Sequence, residues 1–123
     1  MEPVKDFIKR KKQERLNSYT YVRDIKAKGR HKWKVQSITF MPQTNSREKV
    51  FVIERLGYLG ADGQAKPVHR IGRRYYRIGY WIIGKKGNKK NRWAWGQFCP
   101  FIPVKDLEKL LSKAKKEKTI ISV

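Results

Sequence analysis

From Gly63 to Lys105 the chain has no acidic residue, while eleven Lys and Arg fall in the same span. A second acid-free stretch, Ile25 to Arg47, carries six more. These cations have no local counter-charge, and burying an unpaired charge is costly, so the middle of the chain has to keep a wet, positive surface. A sheet covered on one side meets that demand, because its side chains alternate between a core face and a solvent face. The flanks are different: residues 1–24 and 106–123 mix both signs, as solvated helices do.

The whole chain sets 31 Lys and Arg against 10 Asp and Glu, a formal net charge of +21 on 123 residues. That length suits one domain with one core. A charge that large repels itself in the compact state and points to a polyanionic partner: nucleic acid, an anionic membrane or an acidic protein. No stretch approaches the roughly 18 apolar residues that span a bilayer. Charged residues interrupt the N-terminus before a secretory signal could develop. Cys99 is the only cysteine, which excludes an intrachain disulfide and a Cys-based metal cage. These features read as a cytoplasmic protein without a membrane partner.

Along the chain, Pro3 to Leu16 reads as a helix with Val4, Phe7 and Ile8 on one face. Asn17 to Gly29 is open: Ser18 could cap a second short helix, or the segment could be extended. His31–Met41, Lys49–Leu59, Tyr75–Gly84 and Arg92–Phe98 read as four strands separated by turn residues. Pro100 and Pro103 end the last strand and open a helix with an apolar stripe of Val104, Leu107, Leu110, Leu111 and Ala114. The tail from Thr119 to Val123 is apolar and β-prone, able to fray or to pair with another chain. The expected fold is α+β: a four-stranded antiparallel sheet (31–99) with the N-terminal segment (1–29) and the C-terminal helix (103–118) on one face.

The third strand splits into Tyr76, Ile78, Tyr80 and Ile82 on one face and Tyr75, Arg77, Gly79 and Trp81 on the other. The first set is the better core face, since Arg77 is costly to bury unpaired. If Ile83 faces Trp93, then Trp81 lies opposite Trp95 and Tyr80 opposite Gly96, and Trp81, Trp93 and Trp95 share the face of Arg77. A slip of one residue swaps the faces. On the preferred register the open face carries aromatic rings among cations, as single strands require: bases stack on the rings and Lys or Arg follow the phosphates. Trp33 is open between core and surface. Two loops add charge: the glycine-rich hairpin GKKGNKKN with Lys85, Lys86, Lys89 and Lys90, leading to Arg92, and the segment HRIGRRYYR with Arg70, Arg73 and Arg74. The hairpin lacks the spacing of a Walker motif.

The run YYRIGYWIIGKKGNKKNRWAWGQFCPFIPVKDLEKLL, Tyr75 to Leu111, covers under a third of the chain. It resembles the Whirly and Pur-type single-strand binders, and more closely the ThermoDBP-related single-stranded DNA-binding proteins of thermophilic archaea. The resemblance implies sequence-independent binding of single-stranded DNA in a groove of aromatic and basic residues. Single-strand binders of this general shape often pair, and the apolar tail or an open sheet edge could serve a homodimer. A thermophilic source fits the abundance of Lys, Arg and Ile.

No catalytic constellation can be assembled: His31 and His69 lie in basic segments without an acidic neighbour, and Cys99 has no His partner and reads as buried. The expectation is therefore a non-enzymatic binder of single-stranded DNA, without cofactor or metal. RNA suits the same face equally well. An acidic protein partner and duplex compaction explain the charge but not the aromatic face.

Overall fold

The computed structural model describes residues 1–121. Helix α1 (Val4–Arg15) is followed by β1 (Tyr19–Arg23), β2 (Arg30–Pro42), β3 (Lys49–Ala61), β4 (Arg74–Ile83) and β5 (Trp93–Trp95), and α2 (Val104–Lys116) ends the order. Each strand pairs antiparallel with the next, giving a five-stranded meander curled like half a barrel. The curl closes toward the face bearing α1, because β1 and the β4–β5 hairpin line one groove there.

The strand count corrects the expectation of four. Asn17 leaves α1 in the left-handed region (φ 65°), which Asn tolerates better than most side chains, and its amide donates to the Val35 carbonyl (2.9 Å). That stitch turns the open segment into an extended strand, and Tyr19–Arg23 pairs with Lys34–Arg30.

The helices lie on opposite faces, not on one. In β3 the alternation sends Val50, Val52, Leu56 and Tyr58 into the cluster that contains Phe7 of α1, and Phe51 and Ile53 into the cluster that contains Leu110 and Ala114 of α2. A bulge at Gln36 keeps β2 in step: Trp33 and Val35 face inward before it, Ile38 and Phe40 after it. Without the extra residue, Ile38 and Phe40 would point outward.

On the inner face Phe7 is fully buried and stacks on Trp93 (centroids 4.5 Å apart, planes 16°), with Trp81 at 5.5 Å and Phe40 edge-on at 6.3 Å. On the outer face α2 covers Tyr80 but leaves Tyr76, Ile78 and Ile82 exposed, contrary to their assignment as core. Only Leu110 and Ala114 of the expected α2 stripe are buried; Val104, Leu107 and Leu111 remain exposed, and Asp106 is instead drawn in to accept the Thr44 amide (3.0 Å). The tail packs on its own sheet as far as Ile121, whose amide donates to the Tyr76 hydroxyl (3.0 Å); Ser122 and Val123 lie outside the described residues. Among the described residues no helix is long and apolar enough to cross a membrane.

Phe7 is the only fully buried side chain of α1, so Phe7→Ala should cost about 3–5 kcal/mol in denaturant unfolding. A loss below about 1 kcal/mol would mean that α1 is not held by this contact.

Candidate nucleic-acid interface

The β4–β5 register is the preferred one: Trp81 opposite Trp95, Ile82 opposite Ala94 and Ile83 opposite Trp93. Two glycines make it fit. A Cβ on Gly79 would run into the indole of Trp95 on the inner face, and one on Gly96 would run into the ring of Tyr80 on the outer face. Each ring therefore occupies the space left open at the partner strand's glycine, one on each side of the sheet.

Trp81, Trp93 and Trp95 thus share the inner face with Arg77, but α1 covers part of it. The Trp93 ring is stacked under Phe7 and its Nε1–H donates to the Glu2 carbonyl (2.9 Å), so Trp93 belongs to the core. Trp81 is half-buried, with Lys11 Nζ 4.6 Å from its ring centre. Trp95 is half-buried against the same core cluster, edge-on to Trp81 (5.4 Å), with the Arg77 guanidinium 5.0 Å from its ring centre. Arg15, Thr20, Arg77, Trp81 and Trp95 line a groove here, bordered by Tyr19 and Tyr21 of β1.

Two arginines of this groove share one buried carboxylate. Glu54 is 1% exposed and accepts from Arg15 (2.9 and 3.1 Å) and from Arg77. Arg15 also donates to the Thr20 hydroxyl (2.8 Å). Arg77, expected wet and free, is thus half-buried and paired, while its outer surface stays at the groove wall.

Farther along the inner face, Trp33, Tyr58, His69 and Tyr75 form a ring cluster with centroids 4.8–5.5 Å apart. Trp33 is buried, which resolves it as mainly core, whereas Tyr75 is exposed and carries the Arg73 guanidinium 5.5 Å from its ring centre. Next to this cluster is a pocket of about 390 Å³ walled by Val22, Ile25, Trp33, Val68 and His69. At its side His31 Nε2 meets Asp24 (2.6 Å) and Nδ1 meets the Tyr58 hydroxyl (2.8 Å); a neutral imidazole donating to Asp24 satisfies both.

The two basic loops sit at opposite ends of β4. Arg70 and Arg73 precede it, Arg74 is its first residue, and Lys85, Lys86, Lys89, Lys90 and Arg92 follow it, all exposed. Ten residues of strand separate them by about 30 Å, so they cannot grip one phosphate together. Lys85 pairs with Glu48 (2.9 Å). None of the other seven takes part in an ion pair among the described residues. Cys99 is exposed rather than buried, and among the described residues no three His, Cys, Asp or Glu side chains gather as a metal site.

The residues that the sequence reading missed are Arg15, Thr20, Glu54 and His69, together with Tyr19 and Tyr21. The tyrosines carried a signal: YTYVR alternates with period two, as a strand does. Nothing local marks Glu54.

The Ala27 amide, then His31, then the Lys26 amide hold the Asp24 carboxyl down to about 2. A carboxyl lowered in this way stabilises the fold fully above its unfolded value of about 4, and the contribution is lost as the pH falls toward about 2. Asp24→Asn should therefore flatten this part of the acid limb in a plot of melting temperature against pH. An acid limb of unchanged steepness would remove Asp24 as its source.

No family model, no curated protein and no solved structure matches the chain.

Proposed function

We propose that the chain binds single-stranded nucleic acid on its inner face without strong sequence preference, and without catalysing a reaction. The observation that carries this reading is Trp95: a half-buried indole set against Gly79 and flanked by Arg77, whose partner acid, Glu54, is buried and doubly paired. Every base has a π-face, and stacking on an aromatic ring contributes about 1–3 kcal/mol per base with little regard to sequence. A duplex hides those faces and offers mainly its phosphates. The acidic-protein alternative would use the charge and leave the ring idle.

In this reading Trp95 and Tyr75 stack bases, with Arg77 and Arg73 beside their rings, and Arg70 and Arg74 neutralise phosphates where the strand enters. Lys86, Lys89, Lys90 and Arg92 form a separate cationic end, reached only by longer strands. The mode is the one implied by the resemblance to the ThermoDBP-related proteins. Single-stranded DNA is the proposed ligand.

Competition of a labelled oligonucleotide with matched single-stranded DNA, duplex DNA and single-stranded RNA, followed by tryptophan fluorescence, tests this. Single-stranded DNA should compete best and quench the emission; equal competition by duplex without quenching would reduce the interaction to charge. RNA competing as well as DNA would extend the ligand to single strands of either sugar.

Trp95→Ala should weaken single-strand binding by about one to two orders of magnitude with the fold intact. Gly79→Ala, which displaces the ring without removing it, should weaken binding in the same direction. Neutralising Arg70 and Arg74 together should flatten the dependence of log affinity on log salt by about 1.4, at about 0.7 per phosphate contact. An unchanged slope would take that loop out of the site.

A further inference from the structure

On the outer face α2 and the chain after it cover only part of the sheet. Leu110 and Ala114 sit over Phe51, Ile53 and Tyr80, and residues 118–121 cross at Arg55 and Tyr76. Toward the other end of the strands no helix or strand covers the outer face among the described residues, and only the side chains of Gln36 and Ile71 lie against Gly57 and Gly60. There Tyr19 (49% exposed) and Tyr21 (44% exposed) stand on β1, opposite Lys34 and Lys32 of β2. Lys32 Nζ is 4.1 Å from the Tyr19 ring centre, and the Arg30 guanidinium is 4.3 Å from that of Tyr21. The register continues across the sheet: Tyr19 faces Lys34, Lys34 faces Gly57, and Gly57 faces Arg74 of the basic loop. Strands are about 4.8 Å apart, so this row spans about 14 Å from an aromatic ring to an unpaired arginine. Asp62, which pairs with Arg30 (3.1 Å), is the acid at its margin.

We propose that this uncovered half of the outer face is a second binding track for the same single strand, which leaves the inner groove over the β1 edge. β1 is the rim common to both: Tyr19 and Tyr21 border the Arg77–Trp95 groove and also head the outer row. Charge complementarity and exposed rings carrying cations select a nucleic-acid strand as the occupant. The inference rests on the single-strand reading and makes the bound length greater than the groove alone requires.

The test uses the full chain and two oligo-deoxythymidines, one of about 5 and one of about 16 nucleotides, within the span that single-strand folds cover. The wild type should bind the longer one more tightly and with a steeper salt dependence. The variant Tyr19→Ser/Tyr21→Ser/Lys32→Gln/Lys34→Gln should lose that gain, with the salt slope for the long strand falling by about 1.4 for two phosphate contacts. The charge change alone, Lys32→Gln/Lys34→Gln, should leave the affinity for the short strand at the wild-type value. Lys32→Gln/Lys34→Gln alone, which leaves the strand residues of β1 untouched, should give the slope change even if the fourfold variant misfolds. Trp95→Ala should weaken both lengths. Equal wild-type affinity for both lengths, or equal loss of both in the charge variant, overturns the second track and leaves the groove reading standing. Displacement of the long strand by poly-glutamate as readily as by oligo-deoxythymidine would assign the face to an acidic polypeptide. A wild type that binds neither length takes down the single-strand reading and this inference with it.

Discussion

Glu54 is a carboxylate buried to 1% exposure in a chain with a formal charge of +21, and the elements around the groove meet at it. Arg15 brings the end of α1 to it and reaches on to Thr20 of β1, while Arg77 brings β4. A buried charge is tolerable only when paired and hydrogen-bonded, and removing one partner of such a pair is more costly than never having had it. The same contacts set the electrostatics of the groove. Two arginines that would otherwise repel each other are held at one wall by a single acid, so the groove is positive but not crowded. Most of the other acids serve likewise in ion pairs, which leaves the exposed loop cations other than Lys85 without an acidic partner among the described residues.

Helix α1 decides how much of the aromatic face remains for a ligand. By stacking Phe7 on Trp93 and setting Lys11 over Trp81, it converts two of the three hairpin tryptophans into support for the third. A base-stacking ring is most useful when it cannot turn, because a ring that must be ordered on binding loses affinity to entropy. Trp95 is fixed by Gly79 beneath it, Trp81 at its edge and Arg77 alongside.

The hairpin register was legible as a preference because it sets Tyr80 against Gly96 and keeps Arg77 off the core face, while a slip of one residue stayed open. The strands β2 to β4 and both helices were legible from periodicity and turn residues. The placement of the helices was written in Val50-Phe51-Val52-Ile53, an unbroken apolar run of the kind found in strands covered on both faces. β1 was obscured by polar neighbours and gains its order from pairing with β2, a contact local propensity does not encode. The burial of Trp93 depended on where α1 docks, and the pairing of Arg77 on a residue twenty-three positions earlier. Both are long-range facts.

The two glycine–ring contacts also bear on how this chain can drift over time. Residues 79 and 95, and residues 80 and 96, behave as two hereditary units rather than four independent sites, since a side chain at either glycine forces the facing ring to move or to shrink. The units lie on opposite sides of one hairpin, so a change in the first alters the Arg77–Trp95 groove and a change in the second alters the seat of α2. The groove and the surface that anchors the C-terminal helix can therefore diverge separately, although their residues are neighbours in sequence.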